Sequence, residues 1–146
     1  MLKDMGAFRE QAMAQSGFSD LIGIPFVDGG RDPATGLDCW GLFMAVMNRF
    51  GREVKDFKIC CFKSVPVYMA AVDEIHARWI PVIVPAAGDA VAMALDDENF
   101  PGMIQHFGVM VDDNWFIHCL QKTGSIKTKT DHPFFKNKIK GFFRLK

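Results

Sequence analysis

Gly29-Gly30-Arg31-Asp32-Pro33-Ala34-Thr35-Gly36-Leu37-Asp38-Cys39-Trp40-Gly41-Leu42 is a glycine-bearing polar loop that runs into a cysteine opening an apolar helix. From Trp40 onward Leu42, Phe43, Ala45, Val46, Met47 and Phe50 recur at helical spacing, and Gly51 stands where a left-handed C-terminal cap belongs. Cys39 thus falls at or beside the first turn. Unpaired backbone N–H groups and the positive end of the helix dipole favour thiolate there, which predicts a nucleophile of depressed pKa. The competing reading is a small buried hydrophobe, because cysteine is among the most buried residue types.

The rest of the chain sets what such a thiol can serve. Its 146 residues are the length of one ordinary domain, 1–146, able to bury a core without disulfides or metal. The 17 basic and 17 acidic residues cancel, so no global field points to nucleic acid or an anionic membrane. Hydrophobic residues make up 49%, with 14 Phe, and the apolar runs are broken by Pro, Gly or charge short of a membrane span. Met1-Leu2-Lys3-Asp4-Met5-Gly6 lacks the basic start and apolar core of a signal peptide, which predicts cytoplasmic synthesis without Sec export. Cys39, Cys60, Cys61 and Cys119 read as free thiols of a reducing compartment, since adjacent Cys60-Cys61 fits poorly with two disulfides.

Residues 3–16 carry a loosely helical pattern ending at Gly17, and Asp20–Phe26 reads as a short helix or turn broken at Gly23 and Pro25. Residues 52–63 give no clear period. Ser64 with Pro66 reads as an N-cap and first-turn proline for a helix through Val67, Met69, Ala70, Val72, Ile75 and Trp79, with His76 a surface or packing residue. From Pro81 the texture changes to β-branched and aromatic runs between turn formers. Strands are expected near 89–95, 103–112, 114–119, 124–130 and 139–145, with turns at Asp112-Asp113-Asn114 and Lys122-Thr123-Gly124. Helices first and antiparallel strands after them predict an α+β domain with the helices on one face of the sheet.

A cysteine nucleophile needs a base, and two histidines lie in strands joined by the Asp113 turn: His106 in Gln105-His106-Phe107-Gly108, and His118 in Trp115-Phe116-Ile117-His118. A turn centred on Asp113 brings residue 106 opposite 119 or 120 and within one diagonal of 118. Both imidazoles then share a face, the second orienting the first. Each histidine taken singly could also be an ordinary half-buried strand residue. A metal site of Cys39, His106, His118 and Cys119 is disfavoured: no metal-ligand spacing is present, and consecutive residues of a strand point to opposite faces. No metal or cofactor is therefore expected.

Gly23-Ile24-Pro25-Phe26, the Gly29-Gly30 loop, Asp38-Cys39-Trp40-Gly41-Leu42, Pro85-Ala86-Ala87-Gly88-Asp89-Ala90-Val91, His106-Phe107-Gly108-Val109 and Phe116-Ile117-His118 resemble, in order and spacing, the NlpC/P60 cysteine peptidases. The resemblance implies a papain-like α+β core and cleavage of a γ-D-glutamyl to diamino-acid bond in the peptide stem of bacterial cell wall. It implies Cys39 as nucleophile, His106 as base and His118 as orienting residue. Asp38, Trp40 and Phe26 are the implied substrate contacts, Asp38 matching an acidic residue that meets a free substrate amine, although a helix-capping role fits it equally. Trp40, where most members have Ser, resembles the phage tail-assembly branch. Phe26 stands where many have Tyr, so a hydroxyl near the oxyanion is missing. Peptidoglycan stem peptide and phage tail proteins are the implied partners, in a phage or prophage tail. Two rival functions share the pattern: a tail-assembly structural protein with little hydrolysis, and a thiol amidase or acyltransferase on another acyl group.

Overall fold

The computed structural model describes residues 18–60 and 62–146, so the helix expected over 3–16, and Cys61, lie outside the described residues. A 3-10 turn at Ser19–Leu21 leads to a minimal hairpin of β1 (Arg31–Asp32) and β2 (Gly36–Leu37). Helix α1 follows at once, Cys39–Arg49, and buries Leu42, Phe43, Val46 and Met47 along one stripe. It ends as the pattern predicts, with Gly51 at φ +73° in the left-handed region that disfavours a Cβ. Leu42, Val46 and Met47 are wholly buried, so truncating one of the longer of them to Ala costs about 2–5 kcal/mol.

Helix α2 spans Ser64–Arg78. Ser64 is its first residue rather than its cap: Lys63 holds the cap position without a side-chain bond, and the Ser64 hydroxyl instead accepts from Gln105 Nε2 at 3.0 Å. Pro66 sits in the first turn, where its missing N–H has no helical acceptor to lose. Trp79, expected as the last helical residue, begins strand β3 (Trp79–Val82). Pro81 explains the switch, because it drives the preceding residue out of the helical region.

The five expected strands are β4 (Ala90–Met93), β5 (His106–Met110), β6 (Trp115–Leu120), β7 (Gly124–Lys129) and β8 (Ile139–Leu145). With β3 they form a six-stranded antiparallel sheet of order β3-β8-β4-β5-β6-β7. The chain end thus lies between β3 and β4. Bidentate hydrogen bonds from Arg144 to the buried carboxylate of Asp89, at 2.9 and 2.8 Å, tie β8 to the turn before β4. Asp112 Oδ1 accepts the N–H groups of Asn114 and Trp115, both at 2.8 Å, and closes the β5–β6 hairpin in the register of an Asp113-centred turn, Val109↔Ile117 and Met110↔Phe116.

Strand alternation divides the interior. Ala90, Ala92, Val109, Val111, Ile117 and Cys119 join the core that includes the buried stripe of α1, whereas Val91, Met93, Met110 and Phe116 pack with Phe135 in a second cluster. Among the described residues no helix is long and apolar enough to cross a membrane.

Candidate active site

The loop of residues 29–38 is built around one carboxylate. Asp38 caps α1 by accepting the Gly41 N–H at 2.7 Å, and it also accepts the Gly29 N–H at 3.1 Å and Arg31 Nη1 at 2.7 Å. Arg31 continues to Asp56 through Nε at 3.0 Å and Nη2 at 3.1 Å. Gly41 lies against the Gly30 carbonyl so closely that a Cβ would collide with it. The structure gives Asp38 the capping role, and Arg31 meets its charge.

Cys39 is the first residue of α1 and is buried. The expectation of a depressed pKa is corrected here. Burial, then the charge of Asp38 and the neighbouring Cys119, push the thiol up to about 12, against smaller lowering effects of the Phe107 backbone and Arg31. Helix-dipole stabilisation is a modest effect and desolvation a large one, so desolvation wins where water is excluded.

A cavity of about 60 Å³ lies beside Cys39, with Trp40, Phe57, Ile75, Trp79 and Phe107 among its walls. Trp40 is held by stacking on Phe43 at 4.4 Å and by its Nε1, which donates to Lys55 O at 2.8 Å. Asp38 also borders this cavity. Phe26 is not among its walls; it packs on Phe62 at 5.9 Å and its backbone bridges to Leu37.

His106 and His118 are brought together as their register predicts, His106 Nε2 lying 2.9 Å from His118 Nδ1. The same register extended by one residue sets Gly108 opposite His118. A Cβ on Gly108 would stand 3.2 Å from His118 Cβ and 2.8 Å from the Phe116 ring, so the glycine leaves room for His118. His118 Nε2 in turn lies 2.9 Å from Thr128 Oγ1, and its ring meets those of Phe116 at 4.7 Å and Phe135 at 4.9 Å. Burial lowers the His106 pKa to about 3; burial and then the charge of His106 lower that of His118 to about 2. The pair is neutral at rest.

No hydrogen bond joins Cys39 to His106 among the described residues. The thiol adjoins the backbone of Phe107, the residue after His106. Cys119 lies on the side of the sheet that α1 covers and donates to Leu37 O at 3.3 Å, away from the histidines, as strand alternation requires. Among the described residues no group of three His, Cys, Asp or Glu is placed to hold a metal ion. Sequence reasoning missed Thr128 and Arg31. Thr128 was within reach of it, because the Lys122-Thr123-Gly124 turn aligns Phe116 with Thr128 and His118 with Ile126, one diagonal away.

A cysteine starting a helix on an antiparallel sheet that carries a bonded pair of histidines defines the papain-like α+β class. Residues 23–144 match the NlpC/P60 family, and the chain belongs to it. Members of this family are typically cysteine peptidases. No curated protein matches the chain in sequence. Among solved structures it is similar to an NLP/P60 family lipoprotein-like protein of Staphylococcus aureus, with 21% identity and a TM-score of 0.63 over 93% of this chain and 41% of that one. The NlpC/P60 domain of the peptidoglycan hydrolase SagA shares 20% identity at a TM-score of 0.57, over 93% of this chain and 97% of that domain. An NlpC/P60 family protein from Bacillus cereus shares 16% identity at a TM-score of 0.63, over 92% of this chain and 39% of that one. The chain therefore spans about two fifths of the Staphylococcus and Bacillus proteins and nearly all of the SagA domain.

Proposed function

We propose that this chain is a cysteine peptidase that cleaves an amide bond in bacterial cell-wall stem peptides, of the γ-D-glutamyl to diamino-acid class. The observation that carries the reading is the placement of Cys39 at the first residue of α1, beside the strand on which His106 is bonded to His118. Sγ of Cys39 attacks the carbonyl carbon as its proton passes to Nδ1 of His106. The resting thiol and imidazole are both neutral, so this transfer accompanies attack rather than preceding it. The Asp38 cap uses the Gly41 N–H, which leaves the N–H groups of Cys39 and Trp40 ahead of it to hold the oxyanion. His106 then protonates the leaving amine, and water releases the acyl group from Cys39. Trp40 after the nucleophile supports a setting in a phage or prophage tail, with tail proteins as partners.

Incubation of the chain with defined muropeptides, read by mass spectrometry of the products, tests the reading. Cleavage between D-glutamate and the diamino acid, absent with Cys39→Ala, is the expected result; intact muropeptides after prolonged incubation overturn it. The buried thiol and the small cavity favour one second reading, a tail-assembly protein of the same fold without hydrolysis. An electrophilic thiol probe that leaves Cys39 unlabelled in the folded chain would support that alternative.

A further inference from the structure

We propose that Thr128 is a positioning residue whose hydroxyl oxygen accepts the Nε2 proton of His118 and so keeps Nδ1 of His106 bare to receive the Cys39 proton. The inference rests on the reading of Cys39 and His106 as nucleophile and base. His106, His118 and Thr128 form one line of contacts, 2.9 Å between the rings and 2.9 Å from His118 to the hydroxyl, and all three residues are buried.

A neutral imidazole has one N–H and one lone pair, so the line admits two self-consistent proton patterns. In the first, His106 Nε2–H donates to His118 Nδ1, His118 Nε2–H donates to Thr128 Oγ1, and His106 Nδ1 is a free lone pair. In the second every donor is reversed. Thr128 then donates to His118 Nε2, His118 Nδ1–H donates to His106 Nε2, and His106 Nδ1 already holds a proton, which disables it as a base.

The role of His106 as base selects the first pattern, because only there is His106 Nδ1, which has no hydrogen-bond partner among the described residues, a lone pair open to the thiol proton. The first pattern leaves only the Thr128 hydroxyl hydrogen to place. That hydrogen rotates about its C–O bond, and Thr128 borders an open groove with Trp115, Lys129, Asp131 and His132, within reach of water. Burial that keeps both rings uncharged preserves the one-proton count on each.

The proton inventory closes. When Cys39 Sγ–H gives its proton to His106 Nδ1, the sulfur electron pair forms the bond to the carbonyl carbon. His106 Nε2–H continues to donate to His118, and the Nδ1 proton later leaves with the amine. Neither His118 nor Thr128 changes its own proton count.

Long-range 1H–15N spectra of the ring nitrogens in the full chain near neutral pH test the assignment. Wild type is expected to show Nε2–H at both histidines. Thr128→Ser should keep that pattern, and Thr128→Val, which removes the acceptor at nearly constant shape, should move His118 to Nδ1–H. On a cleavable muropeptide Thr128→Val should lower kcat about 10- to 100-fold with KM unchanged, and Thr128→Ser should stay within about threefold of wild type. Nδ1–H at His118 in wild type, or a valine variant with the wild-type tautomers, overturns the proposal. Should Thr128→Val fail to fold, the wild-type and serine spectra decide. Inactivity of wild type on muropeptides together with the tautomer shift overturns the peptidase reading while supporting the assignment of Thr128.

Discussion

Asp38 and His118 are both withdrawn from water, at 1% and 0% exposure, yet they are stabilised in opposite ways. Asp38 stays within a charged network, accepting two backbone N–H groups and Arg31, which also binds Asp56. His118 stands in an uncharged line between another imidazole and a hydroxyl. The first arrangement fixes the start of α1: a buried carboxylate with its donors in place does not exchange partners cheaply. The second can take up a proton, but only at the cost of a buried charge. In the site as proposed, the oxyanion created as the thiol attacks is the charge that offsets the imidazolium. The charged region therefore holds the nucleophile in place, and the neutral region moves the proton.

Removing the nucleophile tests this division most severely. Cys39→Ala should lower kcat/KM on muropeptides by about 10,000-fold or more while the chain keeps its cooperative melt. Full activity in that variant would move the chemistry elsewhere.

The next effect separates the histidines. His106→Gln should cost about 1,000-fold in turnover, whereas His118→Gln, which keeps a neutral hydrogen-bonding group beside His106, should retain measurable activity. Equal losses in the two would erase the distinction between base and orienting residue.

A stability measurement addresses the charged region. Asp38→Ala removes the cap and one partner of Arg31 and should cost about 3 kcal/mol by denaturant unfolding. Asp38→Asn, whose amide oxygen can still cap, should cost about half of that. A neutral outcome for alanine would show that Arg31 and Asp56 alone hold the loop.

A pH titration addresses the uncharged region. Both histidines have folded-state pKa values depressed below the ordinary 6.5, to about 3 and about 2, so the unfolded chain binds more protons in that interval. Their contribution to stability is fully present above pH 6.5 and is lost as pH falls toward 3. His118→Gln should flatten that slope. Cys39 runs the other way: its pKa is raised from 9.0 to about 12, so alkylation of the folded chain by iodoacetamide should keep rising above pH 9 instead of levelling near neutrality. A plateau near pH 7 would indicate a thiolate already formed at rest.

Much of this arrangement was legible in the sequence because it is local. The spacing from Trp40 to Gly51 and the capping choice of Asp38 specify α1 within a few residues, and the Asp112-Asp113-Asn114 turn fixes the register that joins His106 to His118. Those features depend on backbone geometry and on partners a few positions away, which composition and period record directly. Strand β3 escaped because the helical period of α2 runs on into Trp79, and its pairing partner, β8, lies at the far end of the chain. The insertion of β8 between β3 and β4 likewise depends on contacts between distant segments, such as that of Arg144 with Asp89. Protonation was decided by tertiary structure alone. A helix start favours thiolate and a strand histidine favours titration near neutrality, but both preferences assume water, and burial reverses them by removing the solvation that charge needs.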